Sequence, residues 1–312
     1  MRGVCCVGVL ALASFLSAAG ASAGTRILFV GNSFTFGALS PVRHYRAETV
    51  HDLNGSDIGG VPALFRRMCE EAGLDYEVSL ETLAGADLAR HWNDKRAAID
   101  QPWDVVVLQS HSTIDAKDPG NPTRLAASVQ TIGDALVARN PGVSLYLTAT
   151  WARADLVYDK PGSWHGEPLT QMTNDIRSGY DAARAAMTRA KILPVGEAWQ
   201  LAMAEQVADS NPYDGIDFNK VDLWSWDHYH ASSYGYYLEA LVAFGAITGK
   251  DPRNLGGQEQ CADDLGISPD QAAALQRVAF DALSEEAATP LATEPAVGYR
   301  AATANRGRAH GQ

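Results

Sequence analysis

Short apolar runs alternate with longer helical patterns along the chain, and this alternation limits the possible folds more than any other feature of the sequence. Five runs are apolar or rich in β-branched residues along their length, as strands covered on both faces are. They span residues 27–31, 76–83, 105–109, 144–150 and 192–195. Because a helical pattern separates each run from the next, the sequence predicts an α/β fold with a doubly wound, mostly parallel five-stranded sheet.

Seven helix candidates complete the pattern, four between the strands and three after the last one. They span residues 62–72, 87–99, 123–139, 169–190, 197–208, 233–247 and 269–283. The last candidate opens with Ser268-Pro269-Asp270, which is typical of a helix start. Since neither an internal repeat nor a linker divides this region, residues 24–284 are predicted to form one domain.

The two ends of the chain differ from this core in composition. Residues 1–23 combine Arg2, a nearly unbroken apolar stretch and the small-residue pattern Ala21-Ser22-Ala23, which is typical of a secretory signal peptide. We therefore expect cleavage near Ala23 and export to the periplasm or beyond, without stable membrane insertion because no other apolar stretch reaches about 18 residues. Residues 285–312 lack periodicity and are predicted to be a mostly disordered tail.

Removal of the leader would leave two cysteines, Cys69 and Cys261. In an oxidising compartment they could form a disulfide, but the sequence does not show whether their Cα atoms come within about 7 Å of each other. The bonded and the free state are therefore both open at this point.

Composition excludes several classes of protein. Apolar residues make up 46% of the chain and charged residues 20%, as in an ordinary globular protein rather than a collagen-like, coiled-coil or wholly disordered chain. The formal net charge of −12 would repel a phosphate backbone. Nucleic acid is therefore not an expected partner.

The first predicted strand runs into Gly31-Asn32-Ser33-Phe34-Thr35, which places a serine at the sheet edge where open α/β folds bind ligands. Neither a G-x-G-x-x-G nor a G-x-x-x-x-G-K-[ST] pattern occurs here, so no nucleotide cofactor is indicated. Ser33 could be a nucleophile, or its hydroxyl could only cap the next helix. The position alone does not separate these two interpretations.

A second candidate lies just before the predicted helix at 233–247, where Asp227 and His230 are three residues apart. A serine nucleophile needs a base, and a carboxylate that holds this base in one tautomer completes the unit. One turn can bring the Asp227 carboxylate to Nδ1 of His230 and leave Nε2 free. Alternatively, His230 packs in the core and Asp227 caps a turn.

Three blocks now stand in the order found in one enzyme superfamily. Gly31-Asn32-Ser33, Gly85 in Leu83-Ala84-Gly85-Ala86, and Asp227-x-x-His230 resemble the ordered blocks of the SGNH (GDSL-like) hydrolase superfamily, with Asn32 in place of the usual Asp. The resemblance covers residues 26–251. It implies a flavodoxin-like three-layer α/β/α sandwich and an esterase that needs neither a metal nor an organic cofactor.

The resemblance also implies roles for particular residues. Ester hydrolysis would pass through an acyl-enzyme, with Ser33 as nucleophile, His230 as general base and then acid, and Asp227 as its orienting partner. The backbone N–H groups of Ser33 and Gly85 would line the oxyanion hole. The third-block Asn of the superfamily is absent, and Gln109 stands at that strand end instead. Gln109 could donate to the oxyanion, or it could hydrogen-bond only a neighbouring loop.

The same loop supports a rival hypothesis of metal catalysis. Asp227, His228 and His230 offer one oxygen and two nitrogen ligands within four residues, and His111 or His165 could complete a zinc site. This arrangement requires alternate side chains of an extended segment to point inward. The helix predicted directly after this loop argues against that geometry.

Four tryptophans, Trp151, Trp164, Trp224 and Trp226, fall in loops at the predicted strand ends. Because aromatic faces stack on sugars, these residues could line a glycan cleft, either in an esterase or in a non-catalytic glycan-binding module. Each of them could equally pack in the core. The sequence as a whole favours an exported serine esterase acting on an acyl or acetyl ester carried by a small molecule or a glycan.

Overall fold

The computed structural model of the protein describes residues 24–289. Its centre is one sheet of six parallel strands in the order β2-β3-β1-β4-β5-β6. The strands are β1 (Thr25–Gly31), β2 (His51–Asp52), β3 (Tyr76–Thr82), β4 (Val105–Leu108), β5 (Ser144–Ala149) and β6 (Lys191–Pro194). The predicted α/β class and parallel sheet are confirmed.

The number of strands differs from the sequence prediction. All five predicted strands are present, with ends within two residues of the expected ones. The additional strand, β2, has two residues and pairs with β3 at the sheet edge. A two-residue strand is too short to leave an apolar run or an alternating pattern, so the sequence carries no trace of it.

Eight α-helices flank the sheet in the described part of the chain. They are α1 (Gly60–Glu71), α2 (Leu88–Ile99), α3 (Thr123–Arg139), α4 (Leu169–Ala186), α5 (Val195–Ala204), α6 (Ser233–Thr248), α7 (Gln260–Asp264) and α8 (Pro269–Ala288). The five-residue α7 was not predicted, and the other seven match the helix candidates.

The helices form two layers because of the direction in which the chain crosses the sheet. After β1, α1 leads towards β3, whereas α2, α3 and α4 lead the chain the other way through β4, β5 and β6. Right-handed crossovers place these two sets on opposite faces. The helices α6 and α8 pack against each other, and α6 also packs on α1. The result is the expected three-layer α/β/α sandwich.

The helix α8 begins as predicted, with Ser268 and Gln271 forming a reciprocal capping box. It continues to Ala288, so the first four residues of the predicted disordered tail are helical. The rest of that tail, residues 290–312, lies outside the described residues, and so does the predicted signal peptide at 1–23. Within residues 24–289, no helix is both long and apolar enough to cross a membrane.

Cys69 and Cys261 are both free and buried. The Cys261 thiol donates a hydrogen bond to the Leu64 carbonyl, at 3.6 Å, instead of bonding to Cys69. Of the two states that the sequence left open, the structure therefore shows the unbonded one.

The strand order positions the candidate site. The strand β1 lies between β3 and β4, so the chain runs from β1 to one side of the sheet and later crosses to the other side. At such a reversal of strand order, a crevice opens at the carboxyl ends of the strands. In the sheet, Gly31 is level with Thr82, and Val30 is level with Leu108. The residues that follow these three strands therefore meet at one edge.

Candidate active site

Ser33 lies in a tight turn directly after β1, which we call the nucleophile turn (residues 31–38). The side chain is 7% exposed, and among the described residues its hydroxyl has no hydrogen-bond partner. The first helix after this turn is the short 3₁₀ helix Pro41–His44, and its cap is the hydroxyl of Ser40, which accepts from the Val42 N–H. The interpretation of Ser33 as a helix cap is therefore wrong.

Asn32 ties the nucleophile turn to the two neighbouring strand ends. Its side-chain nitrogen donates to the carbonyls of Ala86 and Ser110, each at 3.0 Å. Its side-chain oxygen accepts from the Phe34 N–H at 3.1 Å. An amide can donate and accept in this way, whereas the carboxylate of an aspartate can only accept. The departure from the usual Asp thus has a structural use in this chain.

Gln109 belongs to the same buried network. Its side-chain oxygen accepts from the Asn32 N–H at 2.8 Å and from the Thr35 hydroxyl at 3.1 Å, and its nitrogen donates to the Ser110 carbonyl. The residue is 1% exposed. Space is short here: a Cβ on Gly31 would lie 2.0 Å from the Thr35 oxygen. Donation from Gln109 to an oxyanion stays a prediction.

Gly85 lies in the exposed turn after β3, with a φ of 65° that favours glycine. Apart from its two chain neighbours, no residue has a heavy atom within 4 Å of where its Cβ would be, so the turn leaves open space beside its backbone. Among the described residues, neither the Gly85 N–H nor the Ser33 N–H donates a hydrogen bond. Both groups are therefore free to donate to a ligand oxygen.

Asp227 and His230 pair as their spacing predicts. They belong to the segment between β6 and α6 that we call the His loop (residues 222–232). Nδ1 of His230 lies 2.6 Å from Oδ2 of Asp227, whose Oδ1 accepts from the N–H groups of Tyr229 and His230. Because a carboxylate only accepts, Nδ1 carries the proton and Nε2 is left as the basic nitrogen.

The contacts of Asp227 favour its ionised form. Burial raises the pKa of this carboxyl, but the hydrogen bonds from the His230 ring and from two backbone N–H groups outweigh burial and hold the pKa below its ordinary value. The carboxylate is therefore charged at neutral pH. A negative charge beside Nδ1 stabilises an imidazolium, which is the form that His230 takes after accepting a proton.

The His loop and the nucleophile turn meet through aromatic rings. The His230 ring lies against Tyr229, with centroids 4.1 Å apart, and meets the edge of Phe34 at 5.8 Å. Phe34 follows Ser33 in the chain, so the Asp227–His230 pair contacts the residue next to the serine. A direct hydrogen bond between Ser33 and His230 is absent from the described residues, as is common before substrate binds.

Comparisons with solved structures identify the fold. No protein-family model and no curated protein sequence matches the chain. A DUF4886 family protein from Bacteroides uniformis ATCC 8492 superposes with a TM-score of 0.57 at 18% identity, covering 84% of this chain and 95% of that one. A protein from Parabacteroides merdae ATCC 43184, described as a GDSL-like lipase, superposes with a TM-score of 0.50 at 16% identity, covering 72% and 95%. The chain has the SGNH-hydrolase fold.

In this candidate site, two of the four tryptophans proposed to bind substrate are core residues. Trp151 is fully buried between Phe34, at a centroid distance of 4.0 Å, and Trp199, at 4.6 Å. Its indole N–H donates to the Tyr229 carbonyl at 3.1 Å. Trp224 is also buried, and its indole donates to the Ala152 carbonyl. The expectation that these two side chains bind substrate is wrong, because the interior of the domain covers them.

The other two tryptophans are placed differently. Trp164 is mostly buried but lines a cavity next to the site, and its indole donates to Asp175 at 2.8 Å. Trp226 is 76% exposed in the His loop. The ring of Tyr213, a residue that the sequence did not single out, lies 4.3 Å from His228 in the same loop and is also exposed.

The ligand cluster required by the metal hypothesis does not form. Within residues 24–289, no group of three or more His, Cys, Asp or Glu side chains is arranged to hold a metal ion. Both oxygens of Asp227 are engaged by the His loop itself, and the His228 ring lies against Tyr213. The His165 side chain is exposed, and His111 hydrogen-bonds Thr113.

The sequence missed one charged group beside the candidate site. Arg153 follows β5 and stacks on Tyr229, with its guanidinium carbon 3.6 Å from the ring centroid. It forms a forked ion pair with the buried Asp155. Only its position directly after a parallel strand suggests a functional role, since ligands collect at these strand ends. The pattern Arg-x-Asp by itself is not a functional motif.

Proposed function

We propose that the protein is a serine hydrolase that cleaves carboxylic esters through an acyl-enzyme, with Ser33, His230 and Asp227 as its triad. The observation that carries this proposal is the Asp227–His230 pair, which lies against the ring that follows Ser33 at the carboxyl end of β1. The SGNH-hydrolase fold supports it, because the structural relatives include a protein described as a GDSL-like lipase.

The reaction follows from these positions. Nε2 of His230 accepts the hydroxyl proton of Ser33 while the serine oxygen attacks the ester carbonyl. The tetrahedral intermediate collapses, the C–O bond to the alcohol breaks, and His230 returns its proton to the leaving alcohol. Water then attacks the acyl-enzyme with His230 again as base, which releases the acid and restores Ser33. Asp227 stays ionised and stabilises the imidazolium in both steps.

The free N–H groups of Ser33 and Gly85 are the proposed oxyanion donors, since such groups are best placed where negative charge develops. Gln109 is the proposed third donor, through the side-chain N–H that is not given to Ser110. We expect Gln109→Ala to lower kcat by on the order of 10²–10³-fold if this donation occurs. A loss of stability with unchanged kcat would leave Gln109 a purely structural role.

The proposed substrate is an acyl or acetyl ester carried by a small molecule or a glycan. Trp226 and Tyr213 are exposed aromatic rings in or against the loop that carries His230. Such rings stack on the apolar faces of sugars, so they would favour a glycan-borne ester over a simple one. We also propose that the protein is exported and begins near Gly24 after cleavage, that it needs no cofactor, and that it binds no nucleic acid.

A labelling experiment tests the proposal. Purified protein is assayed on chromogenic acetate, butyrate and palmitate esters and on acetylated xylan, before and after treatment with a fluorophosphonate probe. We expect hydrolysis of at least one ester, loss of activity on labelling, and the label on the peptide that contains Ser33. A strong chelator should leave the activity unchanged.

Two variants make this experiment decisive. Ser33→Ala should abolish both labelling and hydrolysis, whereas Ser40→Ala, a change in the adjacent loop, should keep both. Glycan binding by the wild-type protein without hydrolysis of any ester and without labelling would support the non-catalytic module instead.

A further inference from the structure

A cavity of about 250 Å³ lies next to the proposed triad, beyond the carboxyl ends of β4 and β5. Its walls include His111 and Thr113 from the loop after β4, Arg153 from the loop after β5, and Trp164. This volume is below the usual range for pockets that hold a drug-sized molecule, so it fits a single small group of a substrate.

Arg153 is the charged group in the wall of this cavity. Its side chain is only 12% exposed, and Asp155, its partner, is 1% exposed. Nε and Nη2 of Arg153 donate to the two oxygens of Asp155, at 3.0 and 2.7 Å. Lys160 also contacts the Asp155 carboxylate, at 2.6 Å. Two cations therefore share one anion, so these three side chains together carry a net positive charge.

The guanidinium also has hydrogen-bonding capacity left. Of its five N–H groups, two donate to Asp155 and one on Nη1 points to the Ser112 hydroxyl at 3.5 Å. Among the described residues, the remaining two have no acceptor, one on each terminal nitrogen. Guanidinium N–H groups that have no partner in the protein can donate to the oxygens of a carboxylate.

Arg153 lies close to the proposed triad, because it and His230 contact the same aromatic ring. Both contact the Tyr229 ring, with Arg153 stacked on it at 3.6 Å and the His230 ring at 4.1 Å. The guanidinium is thus one aromatic ring away from the proposed base. A carboxylate held by Arg153 and an ester held at Ser33 could belong to one substrate of about the size of a sugar ring.

His111 completes the polar wall. Burial, together with the charge of Arg153, lowers the pKa of this histidine, so its ring is neutral at pH 7. A neutral imidazole can donate to or accept from a hydroxyl group, and it adds no second positive charge. The cavity therefore favours a ligand group that carries one negative charge over a group that carries two.

From this arrangement, we infer that Arg153 binds a carboxylate of the substrate, so that esters of carboxylate-bearing alcohols, such as acidic sugars, are preferred over neutral ones. This inference rests on the proposed esterase function for its kinetic consequence, but not for its binding consequence. An unspecific attraction would not give this preference, because the net charge of the whole chain is −12.

Two substrates that differ only at the charged group test the inference. Acetylated methyl galacturonoside and acetylated methyl galactoside differ by a carboxylate in place of a hydroxymethyl group. We expect the wild-type protein to prefer the acidic ester in kcat/KM by about 10- to 100-fold, since a hydrogen-bonded pair with a buried charge is worth this much. Arg153→Met should reduce the preference to a ratio of about one.

The ratio of the two substrates is independent of how much of a variant is folded, so partial misfolding does not hide the result. Arg153→Lys keeps the charge but loses the fork, and it should keep only part of the preference. Arg184→Met is the matched control, because Arg184 is 14% exposed and also pairs with one aspartate, Asp181, but lies on α4 away from the cavity. This variant should keep the wild-type ratio within about twofold.

A binding measurement separates this inference from the proposed function. Calorimetry on Ser33→Ala, with and without Arg153→Met, is run with galacturonate, galactose and galactose 6-phosphate as probes. Galacturonate binding that needs Arg153 supports the inference, even if no ester is hydrolysed. Ester hydrolysis by the wild-type protein with a ratio that Arg153→Met does not change would overturn it. Tighter Arg153-dependent binding of the phosphate would overturn the choice of a carboxylate.

Discussion

The nucleophile turn and the His loop present their groups at the same sheet edge, but different contacts hold them in place. The nucleophile turn depends on distant partners: Asn32 reaches the loops after β3 and β4, and the Tyr236 hydroxyl lies within 3.2 Å of the Ser33 carbonyl, 203 residues away in sequence. Within the His loop, the Asp227–His230 pair depends on local partners, since the hydrogen bonds around Asp227 come from residues within three positions. The base is therefore oriented locally, whereas the nucleophile is oriented by the whole fold.

The largest expected effect comes from removing the groups that the two regions bring together. Ser33→Ala and His230→Ala should each lower kcat by about 10⁴- to 10⁶-fold, because each removes one member of a single proton-transfer unit. The double variant should be little worse than either single one. Steady-state kinetics on the best ester measures all three. Multiplicative losses in the double variant would show that the two residues act independently and would contradict the proposed triad.

The next largest effect concerns the orientation of the base. Asp227→Asn keeps the shape of the side chain but removes its charge, and it should lower kcat by on the order of 10²–10⁴-fold, since an amide does not stabilise the imidazolium. In the folded protein the pKa of Asp227 is below its ordinary value. The ionised carboxylate therefore contributes fully to stability when the pH is above the ordinary pKa, and this contribution is lost as the pH falls through the lowered pKa of the folded state.

Thermal unfolding checks the second part of this prediction. The difference in melting temperature between wild type and Asp227→Asn should be constant from pH 8 down to about pH 5 and should shrink in stronger acid. A difference that grows as the pH falls would show that the carboxylate is not stabilised by its partners in the His loop.

This contrast also explains what could be predicted from the sequence. The i, i+3 spacing of Asp227 and His230 predicts their contact, because one turn suffices to form the pair. The apolar runs likewise predict the five longer strands, because the pattern of a strand is local in sequence. By contrast, the long-range partners of Asn32 and Gln109 lie 54 to 78 residues away along the chain, so only the strand order brings them together. The burial of Trp151 and Trp224 likewise depends on tertiary packing that no local pattern records.

A smaller effect should follow from weakening the long-range support of the nucleophile turn. Asn32→Asp places a carboxylate against the carbonyls of Ala86 and Ser110, to which it cannot donate. We expect a loss of about 2–4 kcal/mol in unfolding free energy, since two buried acceptors lose their donor. We also expect kcat to fall by about 10- to 100-fold as Ser33 shifts. Urea unfolding and steady-state kinetics measure the two quantities.

The control for this variant is Asn93→Asp, an exposed position on α2. It should leave both stability and kcat near their wild-type values. If Asn32→Asp behaved like this control, the nucleophile turn would not depend on the Asn32 amide. The proposed difference between the nucleophile turn, with its long-range partners, and the locally held Asp227–His230 pair would then be wrong.

The smallest effect on activity is expected from a second carboxylate near these regions, Glu239 on α6. Unlike Asp227, it is almost fully buried, and its Oε2 atom has no hydrogen-bond partner among the described residues. Burial raises the pKa of Glu239 well above its ordinary value. The native state therefore keeps this carboxyl protonated, whereas the unfolded chain ionises it at its ordinary pKa. As the pH rises from the unfolded-state pKa towards the folded-state pKa, the unfolded state gains stability relative to the native state, and the free energy of unfolding falls.

Glu239→Met replaces this side chain with an apolar one of similar size, and it should therefore stabilise the protein at neutral pH. We expect a gain of about 1–3 kcal/mol at pH 7–8, the cost of burying an unpaired polar group, and a smaller gain near pH 4, where the carboxyl is protonated in both states. At roughly 2–4 °C per kcal/mol, scanning calorimetry resolves this difference. Glu285→Met, an exposed change on α8, is the control and should shift the melting temperature little at either pH. A loss of stability in Glu239→Met that comes with a fall in kcat would instead show that Glu239 supports α6, and through Tyr236 the nucleophile turn. The hydrogen bonds of the turn would then not be enough by themselves to hold Ser33 in place.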